Sequence, residues 1–309
     1  MNTRFAASRS ARMLSVILGL ALFRASAFAA SLDAAAIGKV AGTAAQSQSD
    51  GTVRIGWSRT DVSVTVDGMK FPPAAGLGSW AAFAPIAGDR AMVMGDTVVF
   101  QDEVDAAMDA AFANGLSVTA LHNHFFYDSP RVYFMHIGGE GKPLALAAGV
   151  RAVWDAIRQV RKMHAAPTSS FGGQTPRPGH IDAESVARIL GQKATNIDGV
   201  VKVSINRNGM MHGMPIGGSM GLTTWAAFSG SDALSVMDGD FIMTADEVQP
   251  ALRALRRGGI HVVALHTHMT GEEPTFYFAH FWGKGKTADL ARAFRAALDA
   301  QAPAKKPSG

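Results

Sequence analysis

A seventeen-residue phrase written twice constrains this chain more than any other feature. ALHNHFFYDSPRVYFMH spans residues 120–136, and ALHTHMTGEEPTFYFAH spans residues 264–280. His122, His124 and His136 each recur 144 positions later, as His266, His268 and His280. A short chance match would not keep three histidines in one register, so the chain must build one unit twice.

The repetition runs beyond the histidines. LDAAAIGKVAG (32–42) parallels IDAESVARILG (181–191), and GLGSWAAF (76–83) parallels GLTTWAAF (221–228). Gly95-Asp96 recurs as Gly239-Asp240. Between the copies lies HAAPTSSFGGQTPRPGH, a segment rich in Pro, Gly and Ser that reads as a linker. The expected layout is a first unit over residues 30–163, a linker over 164–180, a second unit over 181–301 and a disordered tail over 302–309.

Within a unit the periods are legible. TVRIGWS and VSVTV alternate apolar and polar residues as half-buried strands do. DEVDAAMDAAFANG is helical, and Thr244 with Glu247 has capping-box spacing at the start of the second copy of that helix. Leu290, Phe294 and Leu298 form an i, i+4, i+8 stripe in a last helix. The order is roughly α-β-β-β-α-β-β-α, twice. That predicts an α+β fold of two tandem units with antiparallel sheets and flanking helices, related by a pseudo-twofold.

Composition matters at the start of the chain. Arg4, Arg9 and Arg12, the apolar run MLSVILGLALF and the small-x-small AFA at 27–29 read as a cleavable signal peptide over residues 1–29. The expectation is an exported, periplasmic protein with no stable membrane insertion. Of the 29 basic residues, four arginines lie in this segment, which has no acid. The remaining 25 therefore balance the 25 acids. A neutral mature chain gives no reason to expect a nucleic-acid partner. With no cysteine, disulfides, thiolate metal sites and a cysteine nucleophile are excluded.

The histidines carry the chemistry. On a strand, residues i and i+2 share a face, so His122 sides with His124 and His266 with His268. If the following hairpin pairs residue 124 with 136, even-numbered residues of both strands face one way. His122, His124 and His136 then converge, as do His266, His268 and His280. Three imidazoles with open positions are the catalytic pattern for Zn²⁺, or for iron or copper. Asp128 and Glu272, each four residues after the second histidine, are candidate fourth ligands. Glu272 or Glu273 is the candidate general base in the second copy, where the first copy has Asp128 and Ser129. From Leu121 to Pro143 against Leu265 to Thr287 only 10 of 23 positions are identical, yet all three histidines are among them. That favours a site over two structural histidine pairs. Tyr133 and Tyr277, of odd number, are expected on the opposite, core face. MMHGM (210–214) reads as an ordinary loop rather than a soft-metal site.

The paired ALHNH…RVYFMHIGGEGKP and ALHTHMTGEEP…HFWGKG, with GLGSWAAF and TWAAFSGSD, resemble the LppY/LpqO-like family of exported bacterial proteins, over about Leu32 to Ala300. The resemblance implies export and the two-unit layout and supplies no reaction. This chain lacks the lipidated cysteine of those lipoproteins, which implies a form free of a lipid anchor. The function expected from residue chemistry is a metal-dependent hydrolase acting on a small-molecule or envelope-derived substrate. The alternatives are a metal-dependent oxygenase, or a non-catalytic metal- or small-ligand-binding envelope protein.

Overall fold

The computed structural model describes residues 31–301. The expected signal peptide over 1–29 and tail over 302–309 lie outside those residues. Each repeat opens on a short helix, α1 (Ala34–Ala41), whose start is fixed by the Asp33 carboxylate accepting from the Ala36 N–H. Gly42, with φ near 71°, closes it in the left-handed region that suits glycine. Strands β1 (Ala45–Ser47), β2 (Val53–Ser58), β3 (Gly78–Pro85) and β4 (Ala91–Phe100) follow. Then come α2 (Val104–Ala113), β5 (Ser117–His122), β6 (Val132–Gly141) and the long α3 (Pro143–Met163).

The second repeat writes the same series. It runs α4 (Ala183–Leu190), β7 (Ala194–Ile197), β8 (Val200–Asn206), β9 (Thr223–Ser231) and β10 (Leu234–Met243). It continues with α5 (Ala245–Arg257), β11 (His261–His266), β12 (Tyr277–Gly285) and α6 (Thr287–Gln301). The capping box expected at Thr244 and Glu247 is present at the start of α5. Residues 164–180 contain no helix or strand.

The two units do not keep separate sheets. Their strands join into one twelve-stranded sheet in the order β1-β2-β3-β4-β6-β5-β11-β12-β10-β9-β8-β7. Its second half is the first half reversed, as a two-fold axis requires. The join itself pairs Leu121 with Leu265, and these are counterparts 144 residues apart. The two strands meet edge to edge at this one pair, and the axis runs between them.

The faces of the sheet differ. One main cluster of buried side chains unites helix residues such as Ala107, Trp154 and Phe294 with Leu121, Met135 and Ile137 from the strands. Tyr133 and Tyr277 pack against it, on the core side as their odd numbers predict. The opposite face carries two smaller clusters, around Val98, Phe100 and Phe134 and around Ile242, Phe276 and Phe278. Small three-stranded flaps stand beside them. The expected strand VSVTV shortens to Thr65–Val66, because its partners are Met69–Lys70 and Asp128–Ser129 in one such flap rather than the main sheet. MMHGM, expected as a loop, is a hairpin of the other flap. Met211 pairs with Met214, and His212-Gly213 turn at φ 51° and 76°, the positive pair a type I′ turn demands.

The recurring Gly-Asp has a steric cause. A Cβ on Gly239 would lie 2.2 Å from the Trp225 carbonyl oxygen and 2.3 Å from Phe281 Cζ. On Gly95 it would meet the Trp80 carbonyl at 2.9 Å. Gly239→Ala is therefore expected to destabilise the fold by about 1–3 kcal/mol, as overpacking does, and Gly95→Ala by less. Urea unfolding of both variants measures the difference.

Candidate metal centre

The hairpins place the histidines as the parity argument requires, though not in the expected register. His122 pairs with Phe134 and Ala120 with His136, where residue 124 was expected opposite 136. The shift is even, so the shared face survives. The second repeat repeats it, with His266 opposite Phe278 and Ala264 opposite His280. All six histidines thus lie on the helix-free face.

Their rings converge in each copy. In the first, the His122 ring centroid is 5.1 Å from both the His124 and the His136 centroids. In the second, His266 lies 5.2 Å from His268 and 4.9 Å from His280. Orientation is set from behind. His122 Nδ1 sits 3.2 Å from its neighbour's carbonyl at Asn123, and His266 Nδ1 3.3 Å from that of Thr267. A proton on Nδ1 given to that carbonyl leaves Nε2 as the donor atom facing the cluster. His280 Nδ1 likewise faces the Gly239 carbonyl at 3.2 Å. His124 and His268 are stacked on Phe134 and Phe278 at 3.3 and 3.4 Å between centroids.

One carboxylate per copy joins the histidines, and it is not one of those expected. Asp96 lies opposite His136 on β4, and Asp240 opposite His280 on β10. Asp240 is 2% exposed, and its Oδ2 is 3.2 Å from His268 Nε2. Donor atoms of Asp240, His266 and His268 all lie within 4.8 Å of one another. Asp240 Oδ1 and His266 Nε2 are buried with no hydrogen-bond partner. In the first copy His122 Nε2 faces His136 Nε2 at 3.0 Å, with Asp96 Oδ1 at 3.9 Å from the latter. Asp128 and Glu272 are turned to structural work. Asp128 accepts from the Val132 N–H at 2.6 Å and Glu272 from the Phe276 N–H at 3.0 Å, and Glu273 pairs with Met210 in a flap. None of the three belongs to the close donor group. The missed signal was Gly-Asp itself, a carboxylate written twice inside an apolar strand at a histidine-facing position.

Electrostatics suit ligation. Burial holds the His124 and His268 imidazoles below the ordinary histidine value of 6.5, and neighbouring histidines push the same way. Asp240 opposes that shift at His268. Imidazoles held toward the neutral form are in the state a divalent ion needs from histidine. Two imidazoles and a carboxylate with open positions match known Zn²⁺ and Fe²⁺ donor sets.

The family model described as a domain of unknown function (DUF1259) matches residues 35–156 and again residues 184–300. No curated protein matches the chain. Among solved structures, the double-ringed trimeric shell protein MSM0271 from the RMM microcompartment is 13% identical, with a TM-score of 0.20 over 70% of this chain and 84% of its own. EtuB from Clostridium kluyveri is 13% identical at a TM-score of 0.22, over 83% of this chain and 89% of its own. Scores this low carry no argument about fold or function.

Proposed function

The chain belongs to the DUF1259 family, whose unit it carries twice, and we propose that it is a metal-dependent enzyme of the cell envelope, most simply a hydrolase. The observation that carries this reading is the close donor group of Asp240, His266 and His268, with two of its buried polar atoms left without partners. A divalent ion held there supplies a Lewis acid and a water made acidic near neutral pH. Asp240, His266 and His268 hold the ion, and His280 stands beside them on the neighbouring strand. His122, His124 and His136 with Asp96 form the sister site across the two-fold.

Export rests on the basic-apolar-small pattern of residues 1–29, and the finer likeness to LppY/LpqO-like proteins points the same way. Among the described residues no helix is long and apolar enough to cross a membrane. A second reading follows from the donor set itself. Two histidines and one carboxylate on one face also suit non-haem iron and oxygen chemistry.

The first experiment is elemental analysis of protein purified without a chelating tag, alongside His122→Ala/His124→Ala and His266→Ala/His268→Ala. Near-stoichiometric metal, lost from the second pair while the fold persists, is the expected result. Zinc, which has no redox chemistry, excludes the oxygenase, and iron or copper admits it. Protein that neither holds nor takes up zinc, iron or copper would overturn the enzyme reading. Metal bound without turnover on ester, phosphoester and amide panels would leave a carrier.

A further inference from the structure

The connecting segment occurs once, so whatever it encloses has no counterpart in the first repeat. It is fastened along the ends of the central strands. The Thr168 N–H donates to Asp102 Oδ2 at 3.1 Å, Lys284 donates to the Gly172 carbonyl, and the Asp232 N–H donates to the His180 carbonyl at 3.0 Å. Between this strap, the second repeat and the start of α2 and end of α3 in the first lies a cleft of about 1480 Å³, whose lining includes Trp225, Asp238, His280 and Trp282.

At the cleft is a pair built from both repeats. His261 Nδ1 lies 2.5 Å from Asp105 Oδ2, while Arg256 holds the other carboxylate oxygen at 2.7 Å. The Phe171 ring of the strap stacks on His261 at 3.8 Å. The carboxylate thus fixes Nδ1 and leaves Nε2 as the imidazole's free polar edge.

The first repeat carries different residues on the equivalent strands. At the positions 144 residues earlier, His261 is Ser117, Trp282 is Gly138, Lys284 is Glu140 and Asp238 is Met94. Asp105 corresponds to Gln249, which instead holds the backbone N–H and carbonyl of Val118. One scaffold carries aromatic and charged side chains where its twin carries small, apolar or oppositely charged ones.

Charge selects the occupant. Asp102 is taken by Arg161, and Asp105 by Arg256 and His261. Among the Asp, Glu, Lys and Arg residues lining the cleft, that leaves Lys284 and Arg177 with no carboxylate partner against Asp238 alone. Aromatic walls with a few polar groups and one surplus cation suit an apolar body bearing one anion. We propose that this cleft is a binding site for a small aromatic carboxylate. Its ring lies against Trp282 and the Phe171 strap, its carboxylate is drawn to Lys284 and Arg177, and His261 Nε2 supplies a hydrogen bond. The site stands on its own geometry and does not need a metal at His280.

The test titrates the chain in excess EDTA with 2-naphthoate, followed by indole fluorescence and calorimetry. Saturable one-to-one binding is expected. Trp282→Gly and Lys284→Glu install the first repeat's residues and should each weaken it about tenfold or more. Arg177→Glu, on an exposed stretch of the strap, should weaken it without touching the core, so the proposal stays testable if Trp282→Gly does not fold. The neutral 2-naphthalenemethanol should bind at least about tenfold more weakly than the acid. Four results would each overturn the site: no saturation, indifference to all three substitutions, equal binding of the neutral analogue, or binding that requires metal and so belongs to the histidine centre.

Discussion

Glu103→Ala should cost about 3–5 kcal/mol of folding free energy, the range for removing one partner of a buried ion pair. Both Arg59 and Glu103 are fully buried. Arg59 Nη1 and Nη2 donate to Glu103 Oε2 and Oε1 at 2.7 and 2.8 Å, and the same carboxylate accepts from the Phe100 N–H at 2.8 Å. Arg161 Nε also lies 2.7 Å from it. Truncation therefore leaves one guanidinium without its main counter-ion, a second weakened, and a buried amide unpaired. Asp61 remains on Arg59 at 2.9 and 3.0 Å, which keeps the loss at the lower end of that range. The second repeat supplies its own control. Arg207 grips Glu247 at 2.6 and 2.8 Å, but these side chains are 27% and 17% exposed. Water can replace part of that contact, so Glu247→Ala should cost about 1.5–3 kcal/mol. Denaturant midpoints for the two variants decide it. Equal losses would mean that burial does not set the value of these pairs.

These pairs also show what a sequence reveals and what it hides. Glu103 and Glu247 occupy the same place near a helix start, where the helix dipole favours a carboxylate. Glu247 does close a capping box, but Glu103 makes no cap and answers an arginine 44 residues earlier. Local periods carry local information. The helices, the strand TVRIGWS and the even-numbered histidine face were legible because each depends on spacing within one hairpin or one helix. The alternation of VSVTV did not foretell its short pairing in a flap. Parity tolerated a register error at His122 and His136, since an even slip returns side chains to the same face. The union of two sheets into one was not legible. It rests on an edge pairing at Leu121 and Leu265, between strands 144 residues apart that no period within one hairpin or helix connects. Asp96 and Asp240 were visible as a repeat, but their role depends on a strand pairing across 40 residues of chain, from β4 to β6 and from β10 to β12.

Asp240→Asn should weaken zinc binding by about a hundredfold or more, since it removes a first-contact anion where outer partners alone are worth 10–100-fold. Asp96→Asn should do less, because Asp96 Oδ1 stands 3.9 Å from His136 and belongs to no equally close donor group. The pH dependence separates a ligand from a group that merely tunes its neighbour. Asp240 raises the His268 pKa against the lowering by burial. If tuning were its whole role, Asp240→Asn would lower that pKa further, ease competition by protons and extend zinc binding to more acidic solution. If it is a ligand, the variant binds more weakly at every pH. In the wild type a depressed imidazole pKa means that neutral His268 persists below 6.5, so zinc should be released only as the pH falls beneath that value. Competition titrations with a chromophoric chelator between about pH 5 and about pH 8 read both effects on one plot. A variant curve displaced toward acid, with affinity unchanged at neutral pH, would remove Asp240 from the donor set and leave the histidines to hold the ion alone.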